Sequence, residues 1–141
     1  MSVYFLEQRK NIDVLTLISN PKNIARVEPY VETIFRQYKL SADMYGNILI
    51  SLTEAVTNAI MHGNGKDESK KVSVSIKKYK NKLGFIISDE GDGFNYGQLP
   101  DPTAPENVLQ LGGRGVFLMR QLADQVQYHD NGSTVEIQFN I

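Results

Sequence analysis

The chain has 141 residues, of which 41% are hydrophobic, and this length and composition are typical of one globular domain. The net charge of −1 argues against nucleic-acid binding through a broadly basic surface, and the absence of cysteine excludes disulfides, thiol nucleophiles and zinc fingers. No apolar run approaches the roughly 20 residues of a membrane helix, and the N-terminus lacks the apolar block of a signal peptide. We therefore expect a cytoplasmic protein.

The first half of the chain predicts one strand followed by two helices. Ile12–Ile18 is short, apolar and rich in β-branched residues, which is typical of a strand. Apolar residues then recur at three- and four-residue steps through Ile24–Tyr38, and this spacing predicts an amphipathic helix that Pro29 either kinks or begins. Ser41 is the expected N-cap of a second helix, which ends at Gly63–Gly65.

The second half predicts a β-hairpin, a long loop, a helix and a last strand. The hairpin pairs Val72–Ile76 with Leu83–Ser88. Glu90–Gly115 is rich in glycine and proline, and a loop of this length in a compact domain is usually a functional lid or disordered. A helix is expected over Gly115–Asp124, and the alternation of Val135–Phe139 predicts a strand that follows an Asn-Gly turn.

The order of these elements predicts the fold class. Strand, helix, helix, strand, strand, loop, helix and strand fit an α/β two-layer sandwich, in which helices cover one face of a single sheet. Consecutive strands in the middle of the chain argue against a fully parallel sheet, so we expect a mixed, mainly antiparallel one. Residues 1–141 then form a single domain, with a lid at about residues 95–113.

The second helix carries the first candidate site. Glu54 and Asn58 are one turn apart, so both side chains project from the same stripe, opposite the apolar face. A carboxylate at that position can take a proton from a hydroxyl, and a carboxamide oxygen can bind Mg²⁺, which prefers oxygen ligands. The alternative is a solvated helix face without any chemistry.

Two glycine-rich segments are the other candidates. Asp89 follows an apolar strand and precedes Gly91 and Gly93, so its carboxylate can accept a hydrogen bond from an amine while the glycines admit a flat ligand. Gly112–Val116 opens a helix, where backbone N–H groups and Arg114 suit phosphate oxygens. Either segment alone is also compatible with a plain turn. The order of all three candidates along the chain predicts a nucleotide site.

With these motifs, the chain resembles the GHKL superfamily of ATP-binding domains, which includes histidine kinases and gyrase-type topoisomerases. Within it, the chain is most similar to the anti-sigma-factor serine/threonine kinases of bacterial partner-switching modules. The resemblance extends from about Asn23 to the C-terminus and rests on an N box, two glycine boxes and a terminal helix: Glu54–Ala59 within Thr53–Asn64, Asp89-x-Gly91-x-Gly93, Gly113-Arg114-Gly115, and Gly113–Val126.

The resemblance implies a role for each matching residue. Glu54 is the general base toward a target serine, Asn58 holds Mg²⁺ against the phosphates of ATP, and Asp89 binds the adenine amine. Thr134 supports Asp89 and the adenine through water. Arg26 matches a partner-contacting arginine. The remaining implied nucleotide-binding residues are Gly91, Gly93, Gly113, Arg114, Gly115 and Val116.

The resemblance also implies a function and its partners. The chain is expected to sequester a sigma factor and to phosphorylate a serine on its antagonist, a small anti-anti-sigma protein of the STAS type. A homodimer is possible, and neither nucleic acid nor a membrane is an expected partner. The lid segment Gln98–Leu111 has few basic or hydroxyl residues that could touch a γ-phosphate, and Val116 replaces the more common leucine. An ATP-binding regulatory module with little or no kinase activity is therefore the alternative.

Overall fold

The computed structural model describes residues 14–92 and 119–141. In these ranges the chain forms five strands: β1 Leu15–Ile18, β2 Lys71–Lys78, β3 Lys82–Ser88, β4 Gln125–His129 and β5 Thr134–Asn140. Helix α1 is Val27–Tyr38 and follows a 3-10 turn, Pro21–Arg26. Helix α2 is Tyr45–Asn58 and follows another 3-10 turn, Ala42–Met44. A π-helical turn, Ala59–Gly63, extends α2. A further 3-10 turn, Asp130–Gly132, joins β4 to β5. A short helical segment, residues 119–122, precedes β4.

The strands form one sheet in the order β1-β2-β3-β5-β4. Each of the four pairings is antiparallel. Phe85 of β3 lies opposite Ile76 of β2 on one side and Ile137 of β5 on the other, so β3 is the central strand. The predicted α/β two-layer sandwich with a mainly antiparallel sheet is confirmed, and no parallel pair occurs within the described part of the sheet.

The core lies between one face of the sheet and the inner faces of the helices. The side chains that are completely buried come from both layers: Leu17, Val72, Leu83, Phe85 and Ile137 from the strands, and Val31, Ile34, Ile48, Leu52, Val56 and Ile60 from the helices and the π-helical turn. Burial of each such side chain stabilises the fold by about 1.5–3 kcal/mol relative to exposure. Helix α2 is therefore held with one stripe on the sheet and the opposite stripe at the surface.

The structure shows where the predicted helices begin and whether Pro29 kinks the first helix or begins it. Pro29 is the third residue of α1, so it marks the beginning of the helix and not a kink, because N–H groups of the first turn have no intrahelical partner to lose. Ser41 caps the 3-10 turn Ala42–Met44 that leads into α2, since its side chain accepts a hydrogen bond from the Asp43 N–H at 3.4 Å. The N-cap of α2 itself is Met44, which makes no side-chain capping bond, so the predicted cap lies one short turn before the α-helix. Of the predicted Gly115–Asp124 helix, residues 119–122 are helical, whereas Ala123 and Asp124 are not, so the helix ends two residues earlier than predicted. Gln125 and Val126, which the resemblance assigns to the terminal helix, belong to β4.

Strand β4 is missing from the elements that the sequence predicts. Its alternating pattern is weak, because only Val126 and Tyr128 are partly buried and both lie between exposed polar residues. It pairs with β5 across the predicted Asn-Gly turn, where Asn131 has a φ of 59° and Gly132 a φ of 96°. An edge strand with one neighbour can form with few apolar side chains, so hydrophobic periodicity alone does not find it.

Residues 1–13 and 93–118 lie outside the described ranges. The predicted lid at about 95–113 and the first residues of the predicted Ile12–Ile18 strand are among them. Within residues 14–92 and 119–141, no helix combines the length and the apolar character needed to cross a bilayer.

Candidate functional site

Helix α2 presents Glu54 and Asn58 on its outer stripe, away from the buried Leu52 and Val56. Both side chains are partly exposed. No hydrogen bond or ion pair joins either of them to another described residue. A carboxylate and a carboxamide that are one turn apart and unpartnered in this part of the chain are both available to a ligand.

The helix ends against the residues that follow strand β3. A Cβ atom added at Gly63 would overlap the Asp89 carboxylate, and one added at Gly91 would overlap the Gly63 carbonyl oxygen. Glycine is therefore required at both positions for the end of the helix and the Asp89 segment to approach this closely. The π-helical turn Ala59–Gly63 widens the last turn of the helix at this point, a feature that is frequent at functional sites.

Asn64 stabilises this contact through hydrogen bonds of its side chain, and the residue is 3% exposed. Its Oδ1 accepts a hydrogen bond from the Glu90 N–H at 2.7 Å. Its Nδ2 donates to Ser19 Oγ at 2.8 Å and to the Lys71 carbonyl at 3.0 Å. The sequence pattern shows Asn64 only as part of the helix end, and its role as a link between four segments depends on contacts distant in the sequence.

Asp89 occupies the position that the sequence predicts, directly after the last residue of β3. Its N–H donates to the Ser133 carbonyl at 2.9 Å, and its Oδ1 accepts a hydrogen bond from the Gly91 N–H at 2.8 Å. Burial raises the pKa of Asp89, an effect that the Gly91 hydrogen bond and the charge of Lys70 oppose. A partly buried carboxylate with capacity for further hydrogen bonds is suited to bind an amine donor of a ligand.

Thr134 lies beside Asp89 although 45 residues separate them in sequence. It is the first residue of β5 and pairs in register with Ser88, the residue before Asp89. The hydroxyl groups of Ser88 and Thr134 are 3.1 Å apart, and Thr134 Oγ1 also donates to Asp130 Oδ2 at 3.3 Å. The structure thus brings together Asp89, Gly91 and Thr134 at one edge of the sheet, next to the C-terminal end of the α2 segment.

Arg26 is exposed and lies at the end of the 3-10 turn that precedes α1. This turn contacts α2. Several of the predicted site residues lie outside the described ranges: Gly93, Gly113, Arg114, Gly115 and Val116. Their roles, like that of the lid, stay predictions.

Three of the described residues follow one another along the axis of the α2 segment. Gly63 marks the end that touches Asp89, Asn58 lies five residues before it, and Glu54 lies four residues earlier again. At 1.5 Å of rise per residue, Glu54 and Gly63 are about 13 Å apart along the helix axis. This span is on the scale of an extended nucleoside triphosphate.

A family model described as a histidine kinase-like ATPase domain matches residues 17–139. The chain is 29% identical over 126 residues to the serine-protein kinase RsbW of Bacillus licheniformis, covering 84% of this chain and 79% of that protein. It is 34% identical over 100 residues to the protein of the same name from Bacillus subtilis (strain 168), covering 66% and 62%.

Among solved structures, a histidine kinase domain from the Erythrobacter litoralis EL346 blue-light activated histidine kinase matches with a TM-score of 0.48 and 19% identity, over 84% of this chain and 59% of that one. The family model alone spans all five strands and both helices except the first two residues of β1 and the last of β5. The chain therefore belongs to the histidine kinase-like ATPase family.

Proposed function

We propose that this chain is an ATP- and Mg²⁺-dependent serine-protein kinase that sequesters a sigma factor and phosphorylates a serine on a small anti-anti-sigma protein. The names of its relatives, serine-protein kinase, support the reaction. The resemblance of Thr53–Asn64 to the N box of anti-sigma-factor kinases supports the partners. We place the protein in the cytoplasm, where a sigma factor acts.

The observation that carries the proposal is the contact between Gly63 and Asp89. It sets the Asp89 carboxylate, which we propose binds adenine, at one end of a helix whose outer stripe bears Asn58 and then Glu54. A nucleotide bound through its base at Asp89 would run back along that stripe, so that its γ-phosphate would reach Glu54. A carboxylate at that end has a use in phosphoryl transfer that simple nucleotide binding does not require.

The reaction follows from this order. Glu54 accepts the proton of the acceptor serine hydroxyl as the serine oxygen attacks the γ-phosphorus. The bond from the γ-phosphorus to the bridging β–γ oxygen breaks, and ADP leaves with its electron pair. The products are ADP and a phosphoserine on the protein, and positioning together with charge stabilisation supplies most of the acceleration.

Asn58 is the residue that would hold Mg²⁺. Its carboxamide is partly exposed and has no hydrogen bond to another described residue. Residues 14–92 and 119–141 contain no group of three or more acidic, histidine or cysteine side chains that could enclose a metal ion. This fits Mg²⁺, which is commonly bound by one or two protein oxygens together with phosphate oxygens and water, and whose charge neutralises the phosphates.

The test is transfer of radiolabelled phosphate from ATP to the STAS-type anti-anti-sigma protein of the same organism. We expect Glu54→Ala to lower the rate at least a hundredfold while the Kd for ATP, measured by calorimetry, changes less than about threefold. Glu32→Ala is the matched control, because Glu32 is an exposed helical glutamate that pairs with Arg36 at 3.8 Å. Equal transfer by wild type and Glu54→Ala would refute the role of Glu54.

Absence of transfer by the wild type, with ATP binding intact, would instead favour an ATP-binding regulator without kinase activity. Calorimetry with and without Mg²⁺ tests the metal separately. We expect the metal to tighten ATP binding in the wild type and to have less effect in Asn58→Ala.

A further inference from the structure

We infer that Ile50 is a specificity residue for the acceptor protein, and that it contacts an apolar side chain beside the acceptor serine. This inference rests on the proposed kinase function. It concerns the stretch of α2 that precedes Glu54, which no feature of nucleotide binding uses.

Ile50 is an apolar side chain on the surface of α2. It is 44% exposed, in the middle of a helix whose other side packs in the core. The remaining large hydrophobic residues with comparable exposure in the described ranges lie elsewhere, at strand β1 and the C-terminus: Val14, Ile18 and Ile141. Within the described ranges, no other large hydrophobic residue of α2 is exposed to this degree.

Ile50 lies beside Glu54, the proposed general base, on the surface of α2. The two residues are four apart, so they share the outer stripe, and Ile50 lies about 6 Å toward the start of the helix. Side chains on a helix lean toward its N-terminus, which is the direction from Glu54 to Ile50. Asn47, one turn further, is exposed and uncharged.

The nucleotide determines from which side the acceptor must come. Its base lies at Asp89, beyond the C-terminal end of the helix, and its phosphates extend back over Asn58 toward Glu54. The approach to Glu54 that the nucleotide does not occupy is therefore the one over Ile50. An acceptor serine that reaches Glu54 brings its neighbouring residues onto Ile50, and burial of an exposed isoleucine against an apolar neighbour favours binding.

The experiment compares Ile50→Ser with Ile50→Val and with Ile18→Ser, a control that removes an equally exposed isoleucine from strand β1. The probe is the purified STAS-type anti-anti-sigma protein of the same organism, with ATP and Mg²⁺. We expect Ile50→Ser to raise KM for that protein about tenfold, with kcat and the Kd for ATP within about twofold of wild type. Ile50→Val and Ile18→Ser should keep KM within about twofold.

An unchanged KM in Ile50→Ser, or an equal rise in Ile18→Ser, would overturn the inference. Direct binding of the same probe, measured by calorimetry with a non-hydrolysable ATP analogue, separates this result from the proposed function. If the wild type binds the probe but transfers no phosphate, the kinase proposal fails, and the inference about Ile50 is then judged by the Kd of Ile50→Ser. If the wild type does not bind the probe, both fail.

Discussion

Asn64 holds the end of the α2 segment against the Asp89 segment, and we expect Asn64→Ala to be strongly destabilising. The buried side chain makes three hydrogen bonds, with Glu90 N–H, Ser19 Oγ and the Lys71 carbonyl, at 2.7, 2.8 and 3.0 Å. These bonds connect the residues after α2, the residue that follows strand β1, strand β2 and the segment after β3. Alanine removes all of them and leaves the former partners without a replacement from this side chain.

The magnitude follows from the number of bonds and from the groups left behind. One net hydrogen bond contributes about 1 kcal/mol, and a buried polar group left unpaired costs about 1–3 kcal/mol. Ser19 keeps a second bond, to the Lys70 carbonyl at 2.7 Å, and Glu90 is exposed and can be hydrated, so both losses are softened. We therefore expect a loss of about 2–4 kcal/mol in the free energy of unfolding, with Tm lower by about 6–12 °C.

The assay is urea unfolding followed by circular dichroism, together with a thermal scan. Asn47→Ala is the matched control, because Asn47 is exposed on the first turn of α2, and its free energy of unfolding should stay within about 0.5 kcal/mol of wild type. Asn64→Asp keeps the acceptor for Glu90 but loses both donors and buries a charge, so at pH 7 it should be destabilised at least as much as the alanine variant. A loss below about 0.5 kcal/mol in Asn64→Ala, or an equal loss in Asn47→Ala, would refute this account.

Two further predictions concern the nucleotide edge. Burial raises the pKa of Asp89, so the wild type loses part of its free energy of unfolding as the pH rises through that pKa. Asp89→Asn cannot ionise, so at pH 7 it should be as stable as wild type or more stable. Its Kd for ATP should rise at least tenfold, because the carboxylate that binds the amine is lost. Urea unfolding between pH 4 and 7 with calorimetry at pH 7 checks both parts, and a clear loss of stability at pH 7 would contradict it. Gly91→Ala should cost about 1–3 kcal/mol and weaken ATP binding, because its Cβ would overlap the Gly63 carbonyl, whereas Gly46→Ala, with open space around it, should be neutral or stabilising. Equal stability of the two alanine variants in urea would show that the helix end does not pack as described.

The features that the sequence predicts well are local ones. Ser41 caps the 3-10 turn that leads into α2 through a bond to a residue two positions away, and Glu54 and Asn58 share a stripe because they are four residues apart. Such relations depend on helix geometry alone, which is the same in any fold. The strand that ends just before Asp89 is predicted for the same reason, from a run of apolar residues that ends at a polar one.

The relations that the sequence does not reveal join residues far apart. Asn64 binds Ser19 and Glu90 across 45 and 26 positions, and Thr134 lies beside Ser88 across 46. Strand β4 is absent from the predicted elements because it needs only β5 as a neighbour, and its own pattern is weak. None of these pairings has a periodicity in the chain from which it could be inferred.

By itself, the sequence determined the class of fold and the order of its motifs, since these follow from the succession of elements along the chain. It also determined the residues on the outer stripe of α2, since these follow from spacing within one helix. Only the tertiary structure decided that Gly63 touches Asp89, that Asn64 locks this contact, and that the strands run in the order β1-β2-β3-β5-β4. The physical reason is that close packing and buried hydrogen bonds select among many possible pairings of distant segments, and they do so only when the whole core is assembled.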